Sequence, residues 1–136
     1  MGISLISKSE TYEIGTPSFF GSFFDTIDYH LTKGIFGKKY PIVLGEFQNG
    51  ELSFENLEKA EKELLIIQKK LKKYNPSKII WDKYDLSKNP PWGNNISSDI
   101  TNLSNYFVTS DGKDLFDVLF SAIKKAKDEK SSLKIG

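Results

Sequence analysis

Three aspartates flank a tryptophan near the middle of the chain: Asp82 and Asp85 precede Trp92, and Asp99 follows it. Carboxyl groups act as general acids and bases, and their oxygens bind hard cations such as Mg²⁺ and Ca²⁺. The spacing of the three matches neither an EF-hand loop nor another specific cation motif. Asp82 and Asp99 are equally typical of turns and helix caps. A carboxylate- or metal-dependent hydrolase therefore stays open as an alternative, and turn formation is the simpler interpretation.

Other catalytic groups are scarce in this chain. It contains one histidine, His30, and neither cysteine nor arginine. A histidine general base needs an oriented partner, and no neighbour of His30 in the sequence supplies one, so a structural role near a helix end is favoured. The sequence has no phosphate-binding glycine loop, nucleophile elbow or zinc-binding helix motif. We therefore predict no catalytic residue, no metal site and no cofactor.

The stretch "KNPPWGNNISSDI", residues 88–100, favours a binding surface instead. It lies in the longest part of the chain without helical or strand periodicity, and long irregular segments in compact domains are usually functional or disordered. Two prolines are expected to keep the backbone extended, so that Trp92 loses little entropy on docking. Tryptophan and tyrosine are enriched at interface centres. The predicted partner-binding residues are Asp82, Tyr84, Asp85, Pro90, Pro91, Trp92 and Asp99. The sequence alone slightly favours the simpler interpretation, in which Trp92 folds back as a lid over the core; the two interpretations are compatible if one edge of the ring stays exposed.

Regular elements on both sides must position this segment. We predict a first strand over 2–9, a central strand over 78–82, a short strand over 106–109 and a closing edge strand over 131–135. Thr16 and Pro17 are the expected start of a first helix, because they match the N-cap and first-turn preferences. A long second helix follows Ser53 and runs to about residue 74, and a third covers 115–127.

Two shorter stretches are less regular. Residues 33–41 are predicted to form a loop. Residues 41–52 fit either a strand pair that turns at Asn49-Gly50 or a short helix ended by Gly50, and we favour the helix. Gly21, inside the first helix, predicts close packing against a neighbouring element.

These elements predict an α+β fold: a single domain over residues 1–136 with a small three- or four-stranded sheet packed against about three helices. The first helix carries a phenylalanine stripe at plain helical spacing, which is more typical of a core than of a cofactor pocket. A small regulatory ligand-binding domain would instead show a closed pocket lined by this stripe. Its members are Phe19, Phe20, Phe23 and Phe24.

Composition and charge disfavour further classes of function. With 136 residues, 38% of them hydrophobic and 27% charged, the chain has the size and balance of one folded domain. Nineteen basic residues, all lysine, against eighteen acidic ones give a net charge of +1, which disfavours a specific nucleic-acid reader. No apolar run approaches the length of a membrane span or signal peptide, so we expect a cytoplasmic protein without membrane contact.

The stretches "GTPSFFGSFFDTI" and "KIIWDKYDLSKNPPWGNNISSDITNLSNYFVTSDGKDLF" resemble the bacterial immunity protein 70 family, over about residues 3–130. Members of this family are small single-domain proteins associated with neutralising the toxin domains of polymorphic toxin systems. The resemblance implies a non-enzymatic antitoxin that binds the C-terminal domain of its cognate toxin, often a nuclease, and blocks the active site. It brings no catalytic residues with it. In that setting, aspartates around Trp92 would complement a basic nuclease cleft.

Overall fold

The computed structural model describes residues 2–33, 39–93 and 95–136. It has the predicted α+β architecture, with a four-stranded antiparallel sheet in the order β2-β1-β4-β3. The strands are β1 (Ile3–Ile6), β2 (Thr11–Gly15), β3 (Glu51–Leu52) and β4 (Leu133–Ile135). The α-helices are α1 (Pro17–Ile27), α2 (Leu57–Leu71) and α3 (Leu115–Glu129), with π-helical turns at Asp28–Thr32 and Ile42–Phe47 and 3₁₀ turns at Phe54–Asn56 and Pro76–Lys78. Most of the predicted loop over 33–41 lies outside the described residues.

The start of α1 is the one predicted from the sequence, whereas α2 begins at Leu57, after the 3₁₀ turn Phe54–Asn56, and not directly after Ser53. The Thr16 hydroxyl accepts a hydrogen bond of 3.1 Å from the Phe19 amide, and Pro17 occupies the first turn of α1. Asp114 caps α3 in the same way, accepting from the Phe116 amide at 2.9 Å. The close packing expected at Gly21 is wrong, because a Cβ there would meet no atom within 4 Å.

The sheet uses other strands than those predicted. Residues 78–82 form no strand, and the predicted strand over 106–109 is reduced to one isolated bridge, between Val108 and Asp114. Residues 11–15, not recognised as a strand in the sequence, pair with β1 as β2. The predicted edge strand at the C-terminus lies inside the sheet, where β4 pairs with both β1 and β3. Strand pairing joins residues far apart in sequence, so local pattern alone does not assign it.

The favoured helix within 41–52 is confirmed as the π-helical turn Ile42–Phe47, and no hairpin turns at Asn49-Gly50, since β3 pairs with β4. The Glu63 carboxylate of α2 accepts hydrogen bonds from the Ile42 and Val43 amides, at 3.2 and 2.8 Å. In return, Glu46 accepts from the Ser53 amide just before α2. Each helix thus supplies the carboxylate that stabilises the start of the other.

The phenylalanine stripe of α1 belongs to the core, as predicted. Phe23 is fully buried, with its ring centroid 5.3 Å from that of Phe107 and 5.4 Å from that of Phe116. Phe20 and Phe24 pack edge-on against Phe47, each at 6.0 Å. These rings fill the space between α1, the π-helical turn Ile42–Phe47 and α3. The interior that a ligand-binding domain would keep open is therefore occupied by side chains.

Candidate functional site

The irregular chain around Trp92, which we define as the Trp92 segment, residues 79–106, is attached to a polar stripe on α1. The Ser22 and Thr26 hydroxyls donate to the Ile80 carbonyl oxygen at 2.6 and 3.1 Å, and the Ile80 amide donates to Thr26 Oγ1 at 3.2 Å. Three residues later, the Lys83 amide donates to Asp25 at 3.1 Å. Because α1 side chains satisfy this backbone, residues 78–82 need no neighbouring strand.

A buried ion pair reinforces the same attachment. Lys83 Nζ lies 2.7 Å from Asp28 Oδ2, and the two side chains are 14% and 3% exposed. The Thr32 hydroxyl also donates to the Asp28 carboxylate. Burial by itself would lower the pKa of Lys83, but the hydrogen bond and charge of Asp28 outweigh it and raise that pKa. Lys83 therefore stays charged at neutral pH and fixes the segment to the end of α1.

His30 and Tyr74 fix the two margins of the segment. His30 Nε2 lies 2.6 Å from the Lys78 carbonyl oxygen, just before the segment begins. The His30 ring also packs on that of Tyr74, with centroids 4.7 Å apart. Near the far end of the segment, the Leu103 amide donates to the Tyr74 carbonyl oxygen at 3.0 Å. The only histidine thus contacts a backbone carbonyl in a structural position.

Trp92 lies on a tight turn and packs back onto the protein. The Gly93 amide donates to the Pro90 carbonyl oxygen at 2.9 Å, which closes a β-turn. The extended backbone expected at Pro91 is therefore wrong, because Pro91 takes the second position of this turn, which proline favours. The indole Nε1 donates to the Tyr106 hydroxyl at 2.8 Å, and the ring meets Trp81 edge-on at 5.4 Å. Trp92 nevertheless stays 36% exposed. The lid and anchor interpretations are therefore compatible, because one part of the Trp92 ring packs on the protein and another part is exposed to solvent.

Two of the three aspartates, Asp82 and Asp85, stabilise turns of the Trp92 segment through their side chains. Asp82 accepts from the Tyr84 amide at 2.9 Å and pairs with Lys88 at 3.5 Å. Hydrogen bonds from the hydroxyl and amide of Ser87 lower the pKa of the exposed Asp85 carboxyl. Asp99 lies in a further turn and is exposed. Among the residues that the structure describes, no group of three or more His, Asp or Glu side chains could hold a metal ion. The geometry therefore gives the hydrolase alternative no support.

Earlier in the chain, the Trp92 segment presents another exposed aromatic side chain. Tyr84 is 87% exposed, and Lys83 Nζ lies 5.3 Å from its ring centroid. Leu86, two residues further on, is also exposed. An exposed aromatic and an exposed aliphatic side chain on consecutive hydrogen-bonded turns give the segment apolar contact area at a defined position.

Two open clefts lie on either side of the turn that carries Trp92. The larger, about 580 Å³, lies between residues 75–79 and residues 89–106, and the smaller, about 280 Å³, lies between Trp92 and Phe19. Ile96, Ile100 and Tyr106 line both. Burial raises the pKa of the Tyr106 hydroxyl more than the hydrogen bond from Trp92 lowers it, so Tyr106 is a neutral acceptor at physiological pH.

The residues that attach the segment escaped the sequence analysis. Ser22, Asp25 and Thr26 recur at the i, i+3, i+4 spacing that places side chains on a common face of α1, and Asp28 follows directly after the helix. A polar stripe of that kind in a phenylalanine-rich helix indicates a second buried face, where the helix bonds a neighbouring backbone. The partner backbone, some 55 residues away along the chain, carries no matching pattern.

Comparison with known proteins gives one match. The model of the family described as immunity protein 70 matches residues 5–135, nearly the whole chain and including the entire Trp92 segment. No curated protein and no solved structure shows significant similarity to the chain. Within the described ranges, no helix has the length and apolar character to cross a bilayer.

Proposed function

The chain belongs to the immunity protein 70 family, and from that membership we propose that it binds the toxic C-terminal domain of a cognate bacterial polymorphic toxin and neutralises it. Neutralisation is by occlusion of the toxin's active site, without catalysis, metal or cofactor. The protein acts as a single folded domain in the cytoplasm, where it meets toxin before export or after delivery.

The Trp92 segment is the proposed binding face. The observation that supports it is the state of Trp92, which is held in one orientation by Tyr106 and Trp81 yet remains 36% exposed. A rigid, partly exposed indole loses little conformational entropy on docking, which is the property of interface anchors. Tyr84, Pro91 and the aspartates lie on the Trp92 segment, where hydrogen bonds close turns at residues 82–85, 85–88, 90–93 and 97–100. Buried Pro90 supports the turn from beneath.

Electrostatics are compatible with a basic toxin surface such as a nuclease cleft. Asp85 and Asp99 are exposed, whereas the charge of Asp82 is partly balanced by Lys88 at 3.5 Å. Lys83, the other basic side chain close by, is paired with Asp28. Two exposed carboxylates on the segment that carries the aromatic anchor steer a cationic partner more than they add affinity.

Co-expression with the C-terminal domain of the toxin encoded beside this protein tests the proposal. We expect cells that express the toxin domain to survive when this protein is present, and the two chains to purify as a complex. Death of the cells with a well-folded, abundant protein and no complex would refute the antitoxin function. A catalytically inactive toxin domain serves as the control for complex formation without selection for survival.

A further inference from the structure

We propose that the two clefts beside Trp92 receive an uncharged loop of the toxin domain, so that the centre of the interface is neutral and only its rim is charged. This inference rests on the proposed function and specifies the chemistry of the partner. The argument comes from the walls of the clefts, from their unused hydrogen-bonding groups and from the position of Trp92 between them.

The cleft walls carry no charge. Charged residues are 27% of the chain, yet none of the described residues that line either cleft is Asp, Glu, Lys or Arg. The apolar part of the larger cleft includes Ile79, Ile96 and Ile100, each partly buried against the core. A lysine or carboxylate of a partner would lose its hydration there without gaining an opposite charge. The clefts therefore select against charged side chains.

The polar groups of the larger cleft match a peptide backbone. Asn75, Ser77 and Asn89 line it and are exposed. The Asn75 side-chain oxygen accepts from the Ser77 amide at 2.9 Å, which leaves its NH₂ group available. The Ser77 hydroxyl and the Asn89 side chain make no hydrogen bond with the described residues. Amide side chains both donate and accept, so they pair with the N–H and C=O groups of an inserted chain.

The position of Trp92 makes the two clefts a single binding site. Ile96, Ile100 and Tyr106 form a wall common to both, and Trp92 borders the smaller cleft while its turn neighbours, Pro90 and Gly93, border the larger. A loop that follows this wall passes over the exposed edge of Trp92 and covers both clefts. Asp85 and Asp99 lie on the same segment and are close to the lining residues in sequence, but neither of them lines a cleft. Such an interface has an uncharged centre, and its charges lie outside the clefts.

The experiment compares Ser77→Lys with Ser121→Lys, which makes the same charge change at an exposed position of α3 outside both clefts. Binding of the purified toxin domain is measured by surface-based kinetics, and thermal unfolding checks that both variants fold. We expect Ser77→Lys to raise Kd roughly 30-fold or more, through faster dissociation, and Ser121→Lys to leave Kd within about threefold. Ser77 is exposed, so the substitution leaves the core untouched.

Salt dependence provides a second readout on the wild-type protein. Between about 0.05 and 0.5 M NaCl we expect the association rate to fall, because the rim charges are screened, and the dissociation rate to change by less than about threefold. A steep rise of the dissociation rate with salt, or equal binding by both lysine variants, would overturn the neutral centre while leaving the antitoxin function intact. Absence of any binding by the wild-type protein would instead refute the proposed function itself.

Discussion

The indole N–H of Trp92 donates a hydrogen bond of 2.8 Å to the hydroxyl of Tyr106. Tyr106 is buried and packs on Phe107, with ring centroids 5.3 Å apart, and Phe107 packs in turn on Phe23 of α1. A partly exposed side chain on an irregular segment is thereby connected to the centre of the core. The orientation of Trp92 is set by tertiary packing, which distinguishes it from an aromatic residue on a free loop.

Replacing Trp92 with Ala separates the anchor interpretation from the lid interpretation. We expect toxin binding to weaken by about 2 kcal/mol or more, the magnitude of an interface hot spot, with the far-ultraviolet circular dichroism spectrum unchanged. Isothermal titration calorimetry gives the affinity. The matched control is Tyr106→Phe, which removes only the hydrogen bond and should lower the free energy of unfolding by about 1 kcal/mol. Unfolding of Trp92→Ala would favour the lid alone, and unchanged affinity would remove Trp92 from the interface.

Breaking the ion pair between Asp28 and Lys83 should destabilise the fold strongly. Asp28→Asn removes the carboxylate that lies 2.7 Å from the largely buried Lys83 ammonium, and we expect the free energy of unfolding to fall by about 3 kcal/mol in urea titrations. The control is Asp82→Asn, which removes one charge from the more exposed pair with Lys88 and should cost about 0.5 kcal/mol or less. Equal effects of the two substitutions would show that Lys83 does not fix the segment to α1.

The carboxyl of Asp25 should give the fold an identifiable pH dependence. Burial raises its pKa above the usual value of 3.8, against the opposing effects of the Lys83 amide and ammonium. The folded protein therefore stabilises the protonated form of the Asp25 carboxyl. This contribution to the free energy of unfolding is present below pH 3.8 and is lost as the pH rises through the raised pKa. Asp25→Asn keeps an acceptor for the Lys83 amide and should gain stability relative to wild type as the pH rises from acid to neutral.

Glu46 provides the control with opposite sign. Burial alone would raise its pKa, but hydrogen bonds from Ser53 and Asn56 outweigh burial and lower that pKa below 4.5. Its contribution to stability is present above pH 4.5 and lost as the pH falls through the lowered pKa. Glu46→Gln should therefore lose stability relative to wild type as the pH rises, in the same series of denaturant titrations. Parallel pH curves for the Asp25 variant and wild type would contradict the assignment.

Gly21→Ala should stabilise the protein. Gly21 lies inside α1, where Ala is favoured over Gly by about 1 kcal/mol, and the added Cβ would meet no atom within 4 Å. Differential scanning calorimetry should show a higher melting temperature. Gly112→Ala is the control, because Gly112 has φ +82° in the turn before α3, and alanine is strained there. A lower melting temperature for Gly21→Ala would indicate packing against Gly21 that the structure lacks.

Much of the candidate site is visible in the sequence, but its geometry is not. The irregular segment, its aromatic residues and the turn-forming aspartates follow from composition and from the lack of periodicity. The hydrogen bond between Trp92 and Tyr106 does not, because the residues are 14 positions apart with no regular element between them to set their geometry. The strand predicted over 78–82 was wrong for a related reason. An apolar run of that length is compatible with a strand. The sequence does not show that side chains of α1, and not a neighbouring strand, form hydrogen bonds with the backbone of Ile80.

The sequence by itself determined the three helices, the start of the first at Thr16, and the apolar stripe that α1 turns toward the core, because capping and helical periodicity depend on residues close along the chain. Tertiary structure alone decided which strands pair, that β4 lies inside the sheet, and that the Trp92 segment is fixed to the polar stripe of α1. These contacts are between residues tens of positions apart. Their contribution to stability depends on burial and on hydrogen bonds between distant segments, which no local sequence pattern encodes.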